Sequence, residues 1–273
     1  MRFTDKIVVI TGGARGIGLA TADLVAHEGA QAVICDLDKS AVDAAVDAVR
    51  RAGGQALGIV GDVSQHESVE ENVNQIMTEF GRVDVLINNA ATQRTVPAQE
   101  LTEAHWRREL DVCLTGSFFW SQAVGVASMI PRRAGVIVNV GSGAGLAAMP
   151  NSVSYVAAKH GIVGLTKALA VDWAQYGIRV NCVCPGFTWT DLSRSVAEAN
   201  PEMIRQRVQR IPLGNGAQPQ DIAQAIGFLA SEHAREISGS VLPVDGGTIA
   251  MSSGYSAPRD ESAELSSDSR PLV

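Results

Sequence analysis

The sequence predicts an α/β fold, a single domain in which a doubly wound parallel sheet is flanked by helices on both faces. Three observations support this prediction. Short apolar runs alternate with helical patterns along the chain, as successive strand–helix–strand units require. The first apolar run, 6–10, leads into a glycine-rich turn and then a helix. The composition, 46% hydrophobic and 19% charged over 273 residues, suits one large core.

Each element follows from the pattern of its segment. The strands are expected where short continuous apolar runs indicate burial on both faces, at 6–10, 32–36, 56–60, 84–88, 135–140, 178–183 and 240–244. The helices are expected where apolar residues recur at helical spacing, at 17–28, 39–52, 66–80, 102–129, 154–175 and 219–230. Right-handed crossovers bring the carboxyl ends of parallel strands to one edge, so we expect ligands to bind there.

The turn after the first strand indicates dinucleotide binding. Segment 11–18 reads Thr-Gly-Gly-Ala-Arg-Gly-Ile-Gly, and Asp36 ends the second strand. Glycines let backbone amides approach a pyrophosphate, and the following helix N-terminus presents unpaired N–H groups to it. A carboxylate placed like that of Asp36 can accept hydrogen bonds from the adenosine ribose. A glycine-rich loop alone could be a plain turn, but this strand–loop–helix–strand–Asp arrangement favours a dinucleotide.

Tyr155 and Lys159 lie four residues apart in the predicted helix 154–175, so their side chains project from one face. An ammonium group beside a phenol favours the phenolate, which makes Tyr155 a candidate acid/base. Such a pair alone is much more typical of an ordinary amphipathic helix surface. The glycine loop and the upstream Ser142 favour the catalytic interpretation over a surface pair.

Together these residues resemble the short-chain dehydrogenase/reductase family over about residues 4 to 250. The matching motifs are the spacing Gly12-x3-Gly16-x-Gly18, Asp62 in Gly-Asp-Val, Asn-Asn-Ala at 88–90, Asn139, Ser142, Tyr155 with Lys159, Pro185-Gly186 and Val-Asp-Gly-Gly at 244–247. The resemblance implies a Rossmann-type fold. We expect residues 1–250 to form the dinucleotide-binding and catalytic domain, with 190–212 as a substrate lid and 251–273 as a polar tail.

The resemblance also implies how the cofactor is held. Asp62 and Val63 would contact the adenine, and Asn89 would lie on the adenosine side. Tyr155 and Lys159 would hold the nicotinamide ribose. The expected cofactor-binding residues are Gly12, Arg15, Gly16, Ile17, Gly18, Asp36, Asp62, Val63, Asn89, Tyr155, Lys159, Pro185, Gly186, Thr188 and Thr190.

Asp36 favours NAD over NADP because a 2′-phosphate would lie against its carboxylate. Arg15 is a complication, since some relatives that prefer NADP place a basic residue in this loop to pair with the phosphate. We expect NAD, because a direct clash is harder to avoid than a flexible arginine is to turn away.

The resemblance implies hydride transfer between the nicotinamide and a carbinol carbon, with Ser142, Tyr155 and Lys159 as catalytic residues. Tyr155 would exchange the hydroxyl proton and Ser142 would donate a hydrogen bond to the substrate oxygen. Most relatives carry an asparagine, thought to bind a proton-relay water, where this chain has Cys113. A thiol is a weak donor and acceptor. Cys113 is therefore either a packing substitution in a working enzyme or a mark of impaired turnover.

The substrate pocket is expected to be formed by Gln93, Arg94, Gly143, Met149 and Trp189. Arg94 is either a carboxylate-binding residue or a solvated loop arginine. Trp189 and Met149 form either an apolar wall or packing beneath the lid. The sequence does not identify the alcohol.

Three functions follow. The first is an NAD-dependent oxidoreductase of a secondary alcohol of polyol, cyclic or hydroxy-acid type. The second is an NADPH-dependent reductase of 3-oxoacyl thioesters, which Asp36 and the acidic composition disfavour. The third is a dinucleotide-binding protein with impaired turnover.

The remaining features concern partners and location. The four cysteines lack metal-ligand spacing, so we expect no metal, and a net charge of −7 disfavours nucleic acid. No apolar run approaches the roughly 20 residues of a membrane span, so we expect a cytoplasmic protein without membrane association. A homotetramer is implied by the resemblance and by candidate exposed aromatic residues in two helices, Phe118, Phe119, Trp120 and Trp173.

Overall fold

Seven parallel strands form the centre of the protein, in the order β3-β2-β1-β4-β5-β6-β7. The structure is a computed structural model that describes residues 1–251. The predicted tail lies outside the described residues except for its first position. The strands are β1 (Ile7–Thr11), β2 (Gln31–Asp36), β3 (Gln55–Val60), β4 (Val85–Asn88), β5 (Gly135–Val140), β6 (Ile178–Pro185) and β7 (Val241–Val244). The doubly wound sheet predicted from the sequence is confirmed.

Helices cover both faces of this sheet. They are α1 (Gly16–His27), α2 (Lys39–Arg51), α3 (His66–Phe80), α4 (Glu103–Arg132), α5 (Val153–Trp173), α6 (Asp191–Ala199), α7 (Pro201–Gln209) and α8 (Pro219–Ala230). Within β1, Val8 and Ile10 belong to one buried cluster, with α1, α2 and α8, whereas Ile7 and Val9 belong to the other, with α3, α4 and α5. The alternation arises because successive strand side chains point to opposite faces.

Helix α4 changes its hydrogen bonding twice. Asp111–Thr115 and Gly125–Met129 are π-helical, and the segments around them are α-helical. Single π turns inside α-helices occur often at functional sites. The first of them contains Cys113. By length and composition α4 could cross a membrane, but half of its apolar 18-residue window is buried inside the protein, as in a core helix.

The prediction that Trp120 belongs to an exposed aromatic surface is wrong. Its side chain is 1% exposed and packs in the core between α4 and the sheet, because it lies on the same stripe of α4 as the buried Val124. Phe119 and Trp173 also pack partly against this core. Phe118 is 37% exposed, so only part of the predicted surface remains accessible in one chain.

A buried polar network fixes α4 and α5 over the carboxyl half of the sheet. The side-chain amide of Asn88 at the end of β4 donates to Ser121 Oγ and to Asn139 Oδ1, both at 2.9 Å. Asn139 Nδ2 then donates to Thr166 Oγ1 at 2.9 Å. One chain of hydrogen bonds thus joins β4, β5, α4 and α5, although the Asn88 side-chain oxygen is buried without a partner among the described residues.

The carboxyl end of α4 is fixed by Asp84. Its carboxylate accepts the Ile7 backbone N–H at 2.9 Å and pairs with Arg132 at 2.7 Å and with Arg82 at 3.1 Å. Burial acts to raise the pKa of Asp84, but the bonds from Ile7, Arg132 and Arg82 outweigh it and hold that pKa below its usual value. Helix α4 is therefore tied to the sheet at Ser121 and at its carboxyl end.

Candidate active site

The glycine loop between β1 and α1 forms a narrow backbone cradle. Gly12 and Gly16 have φ angles of +60° and +54°, in the left-handed region. A Cβ on Gly18 would come within 2.1 Å of the Gly12 carbonyl oxygen and 2.7 Å of Asn89 Nδ2, so no larger residue fits. The first turn of α1 carries no side-chain cap, which leaves its N–H groups available to a pyrophosphate.

Asn89 joins this loop to β4. Its side-chain amide donates to the carbonyl oxygens of Thr11 at 3.0 Å and Gly12 at 2.8 Å, and its backbone N–H donates to Thr11 Oγ1 at 3.0 Å. The position predicted on the adenosine side thus fixes the glycine loop against the neighbouring strand.

A cleft of about 410 Å³ extends from the glycine loop along the carboxyl ends of β2, β3 and β4. The structure brings together here six predicted cofactor residues, Gly12, Arg15, Asp36, Asp62, Val63 and Asn89. The sequence analysis missed Arg108, which also lines the cleft and bonds Asp62 at 3.1 Å and Ser64 Oγ at 2.9 Å. An open cleft bordered by a glycine cradle and carboxylates fits the adenosine half of a dinucleotide.

The charges at this cleft are arranged in a way that the sequence did not reveal. Asp36 accepts the backbone N–H groups of Leu37 at 2.8 Å and Ala14 at 3.2 Å. The Arg15 guanidinium pairs with Asp38 at 2.5 Å. The Ser40 hydroxyl, the Ala41 amide and then Arg15 hold the pKa of Asp38 below its usual value. Arg15 therefore has an acidic partner within the protein.

Lys159 is the most deeply buried charged group at the site, with 2% of its surface exposed. Its ammonium donates to the Val140 carbonyl oxygen at 2.8 Å and lies 5.6 Å from the centre of the Tyr155 ring. Burial acts to lower the pKa of Lys159, but Tyr155 and then the nearby cysteines act in the opposite direction, and the net shift is upward. The predicted Tyr–Lys pair is therefore brought together on α5.

Ser142 begins the turn that follows β5. Its hydroxyl accepts the Ala144 backbone N–H at 3.1 Å, and the preceding Gly141 donates to the Val183 carbonyl oxygen of β6 at 2.7 Å. A Cβ on Gly145 would lie 2.6 Å from the Lys159 carbonyl oxygen. This close approach packs the Ser142 turn directly on α5, on the helix that carries Tyr155.

The segment after β6 crosses back to the glycine loop. Gly186 donates its N–H to the Val244 carbonyl oxygen at 2.9 Å, and Thr188 Oγ1 donates to the Gly186 carbonyl oxygen at 3.2 Å. The Thr190 methyl group lies 3.4 Å from where a Cβ on Gly16 would be. The two predicted ends of the cofactor site therefore approach each other above α1.

The segment 190–212, predicted as a lid, contains two helices, α6 and α7, where the sequence analysis assigned none. Trp189 packs edge-to-face against Phe187 at 4.8 Å between ring centres, and its indole N–H donates to Asn215 Oδ1 at 3.3 Å. Arg194 of α6 lies over the same ring at 5.7 Å. Of the two alternatives for Trp189, these contacts favour packing beneath the lid. Met149 is half-buried, and a Cβ on Gly143 would lie 3.7 Å from the Pro185 carbonyl oxygen, in ordinary van der Waals contact.

The loop after β4 carries the two polar substrate candidates. Gln93 Nε2 lies 3.5 Å from Ser152 Oγ. Arg94 is exposed, and its guanidinium lies 2.7 Å from His105 Nε2. The sequence analysis missed Glu109, which is 3% exposed and accepts the Arg94 backbone N–H. Its sequence context, Arg-Arg-Glu, is typical of a solvated helix surface.

Cys113 lies in the first π turn of α4 and is 1% exposed. Its thiol interacts with both backbone groups of Thr92, as acceptor from the N–H at 3.4 Å and as donor to the carbonyl oxygen at 3.3 Å. Cys182 and Cys184 point the same way from β6, with sulfurs 3.7 Å apart, and all four cysteines are reduced and buried. Cys113 therefore ties α4 to the loop after β4.

Comparisons with known proteins agree with this geometry. A family model described as Enoyl-(Acyl carrier protein) reductase matches residues 12–248. The chain is 41% identical to cis-4-hydroxycyclohexanecarboxylate dehydrogenase of Sinomonas cyclohexanicum, over 91% of this chain and 98% of that protein. It is 38% identical to a 3-oxoacyl-(acyl-carrier-protein) reductase of Thermotoga maritima, over 91% of this chain and 100% of that protein.

Solved structures show the same fold. The crystal structure of levodione reductase superposes with a TM-score of 0.86 at 34% identity, and the match covers 91% of this chain and 99% of that one. Because the family model and these relatives cover nearly the whole domain, the chain belongs to the short-chain dehydrogenase/reductase family and is an oxidoreductase that acts on CH–OH groups.

Proposed function

We propose that this protein is an NAD-dependent oxidoreductase that interconverts a secondary alcohol and its ketone, with Tyr155 as the acid/base. The observation that carries the proposal is the buried ammonium of Lys159 beside the Tyr155 ring. A buried cation next to a phenol stabilises the phenolate form that a general base requires. The Ser142 turn packs on the same helix, through the close approach of Gly145 to the Lys159 carbonyl oxygen.

The roles of the chain's own groups follow from their positions. When bound, a nicotinamide cofactor supplies the hydride acceptor or donor. During oxidation Tyr155 takes the proton of the substrate hydroxyl, and during reduction it returns that proton. Ser142 donates a hydrogen bond to the substrate oxygen. Lys159, whose ammonium lies beside the Tyr155 ring, would help to hold the nicotinamide ribose.

We propose a substrate of polyol, cyclic or hydroxy-acid type. Similar proteins bear names of this kind, including the hydroxycyclohexanecarboxylate dehydrogenase and a meso-2,3-butanediol dehydrogenase of Serratia marcescens at 38% identity. The second candidate is reduction of 3-oxoacyl thioesters, which the relative from Thermotoga maritima favours. Asp36 and the net charge of −7 favour the first candidate, because an acidic carrier protein would be repelled and NADPH disfavoured.

The first prediction tests the chemistry itself. Wild-type protein with NAD and a panel of cyclic alcohols, polyols and hydroxy acids is expected to form NADH, measured by absorbance. Tyr155→Phe removes the proton-transferring hydroxyl and is expected to lower kcat by about a hundredfold or more, with an unchanged circular dichroism spectrum. Reduction of 3-oxoacyl thioesters with NADPH, and no alcohol oxidation, would support the second candidate. Cofactor binding without turnover of either class would indicate the impaired protein.

The preference for NAD rests on Asp36 and on the pairing of Arg15 with Asp38. A carboxylate about 4 Å from a phosphate is repelled by about 4 kcal/mol per unit charge at an effective dielectric near 20, before screening. Arg15 is the cation that would offset this repulsion, and Asp38 already binds it. Both carboxylates therefore disfavour NADP. Asp36 repels the 2′-phosphate, and Asp38 binds the arginine that would otherwise pair with that phosphate.

The second prediction separates these effects. Wild type is expected to prefer NAD over NADP by about a hundredfold or more in kcat/KM, since about 1.4 kcal/mol corresponds to tenfold. Asp36→Ala should reduce the preference strongly, Asp38→Ala modestly, and the double variant most. Asp43→Ala is the control, because Asp43 pairs with Lys39 on the exposed surface of α2. Comparable kcat/KM values for the two cofactors in wild type would contradict the assignment.

The third prediction concerns Cys113, whose thiol bonds both backbone groups of Thr92. We propose that it serves as a packing and tethering residue in a working enzyme. An asparagine side chain carries a stronger donor and a stronger acceptor. Cys113→Asn should therefore keep or raise kcat with little change in NAD affinity, measured by steady-state kinetics and by quenching of protein fluorescence. A hundredfold loss of activity in a folded variant would instead make the thiol part of the mechanism.

The fourth prediction concerns assembly. We propose a cytoplasmic homotetramer formed through α4 and α5, on which Phe118, Val126, Val153 and Val171 are exposed in one chain. Val171 is 77% exposed, so Val171→Asp should leave the fold of one chain intact but reduce the assembled mass in light scattering. Ala44→Asp on the exposed face of α2 is the control and should remain assembled. A wild-type mass of 28.7 kDa at micromolar concentration would contradict the tetramer.

A further inference from the structure

Glu109 is a buried carboxyl group that the proposed mechanism does not use. Its side chain is 3% exposed. One carboxyl oxygen accepts the backbone N–H of Arg94, in the loop after β4, and the other accepts the hydroxyl of Ser154, in the first turn of α5. A single side chain therefore bonds to two segments that are far apart in sequence, and one of its partners precedes Tyr155 directly.

Glu109 is the middle member of a stripe on α4. His105, Glu109 and Cys113 are spaced by four residues, so they share one face of the helix. Each contacts the same loop. His105 Nε2 lies 2.7 Å from the Arg94 guanidinium, Glu109 accepts the Arg94 backbone N–H, and Cys113 bonds both backbone groups of Thr92. The stripe thus holds the loop at 92–94 from one side.

The other side of the same loop faces the segment that leads into α5. The Val96 backbone N–H donates to the Asn151 carbonyl oxygen at 2.8 Å, and Gln93 Nε2 lies 3.5 Å from Ser152 Oγ. The first contact joins two backbone groups, and the second joins two side chains, of which Gln93 is exposed. Glu109 adds a buried connection between the same two segments, from the Arg94 amide to the Ser154 hydroxyl.

We propose that Glu109 is a positioning residue that fixes the substrate-side loop, with Gln93 and Arg94, relative to Tyr155 on α5. This inference rests on the proposed function, because Tyr155 is the acid/base in it. Removal of the carboxyl would leave the buried Ser154 hydroxyl and the part-buried Arg94 N–H without this acceptor. The loop and the helix would then shift to find other partners, and a shift of about 1 Å at a reacting group can lower the rate by about a hundredfold.

The variants that test the proposal are Glu109→Leu, Glu109→Gln, Ser154→Ala and the double variant Glu109→Leu/Ser154→Ala. Leucine removes both acceptors, whereas glutamine keeps one oxygen and replaces the other with a donor. Ser154→Ala removes only the bond to α5. The matched control is Glu103→Gln, because Glu103 lies on the same helix but is exposed and pairs with Arg107.

Glu109→Leu is expected to lower kcat/KM about ten- to a hundredfold, by a lower kcat and a higher KM. The reason is that the loop after β4 and helix α5 both lose their hydrogen bond to residue 109. Glu109→Gln should give a smaller loss of the same kind. Ser154→Ala should lower kcat about three- to tenfold with KM within about twofold. The double variant should lie within about twofold of Glu109→Leu alone, since both changes remove the same bond. Glu103→Gln should match wild type.

Two measurements are independent of turnover. The NAD dissociation constant should stay within about twofold of wild type in every variant, because Asn89 is held separately by Thr11 and Gly12. In hydrogen–deuterium exchange, Glu109→Leu should speed exchange of the peptide spanning 92–96, which contains the Arg94 amide, while Glu103→Gln should not.

Several results would overturn the proposal. They are wild-type kinetics in both Glu109 variants, effects that multiply in the double variant, a loss of NAD affinity as large as the loss of kcat/KM, or unchanged exchange at 92–96. If Glu109→Leu does not fold, Glu109→Gln and Ser154→Ala carry the same tests. A different outcome would reject only the proposed function. It is a wild-type protein without turnover, together with faster exchange at 92–96 in Glu109→Leu, which would still support Glu109 as the link between the loop and α5.

Discussion

The buried ammonium of Lys159 is the constraint on which the candidate active site depends. An ammonium removed from water is costly unless hydrogen bonds and opposite charge compensate it. Here the carbonyl oxygen of Val140 supplies a 2.8 Å bond, and the Tyr155 ring lies 5.6 Å away. Because Val140 ends β5, the lysine can be satisfied only if α5 lies close against the end of that strand. The same contact fixes the height of Tyr155 above the sheet and the packing of the Ser142 turn on α5.

The first part of helix α4 contacts the loop beside the candidate active site, and the later part of the helix packs in the core. Its face at Glu109 and Cys113 lies beyond the carboxyl edge of the sheet and contacts the loop after β4. The same face continues over the strands, where Ser121 bonds Asn88 and Trp120 packs in the core. The π turn at Asp111–Thr115 separates the two parts. Because α4 is tied to the sheet at Ser121 and Arg132, its first part can carry polar side chains to the loop after β4 without losing its position.

The sequence predicted the parts of the site that depend on local spacing. The glycine cradle, Asp36 at the end of β2 and the Tyr–Lys pair each follow from the geometry of one strand, one turn or one helix. The partition of the lid into α6 and α7 also had a local signal that the sequence analysis did not use. Asn200 accepts the Met203 N–H at 3.2 Å as an N-cap, and Pro201 occupies the first turn of α7.

The features that were missed or wrong depend on contacts between distant segments. The burial of Trp120 depends on which stripe of α4 faces the sheet. Neither the pairing of Arg15 with Asp38 nor the contact of Cys113 with Thr92 has a sequence signature, because each side chain is ordinary for its own segment. Glu109 is the clearest example, since a charged residue after two arginines predicts a solvent-exposed helix surface. Only the fold brings the Arg94 amide and the Ser154 hydroxyl to it.

The loop after β4 is fixed at two separate places. At its beginning Asn89 is fixed by the backbone of the glycine loop, which belongs to the cofactor site. From Thr92 onward it is fixed by side chains of α4 and by the segment before α5. The backbone contacts at the beginning do not depend on which side chains α4 carries. Changes at Glu109 or Cys113 can therefore alter the loop from Thr92 onward while the glycine cradle keeps its geometry, since the two anchors share no residue.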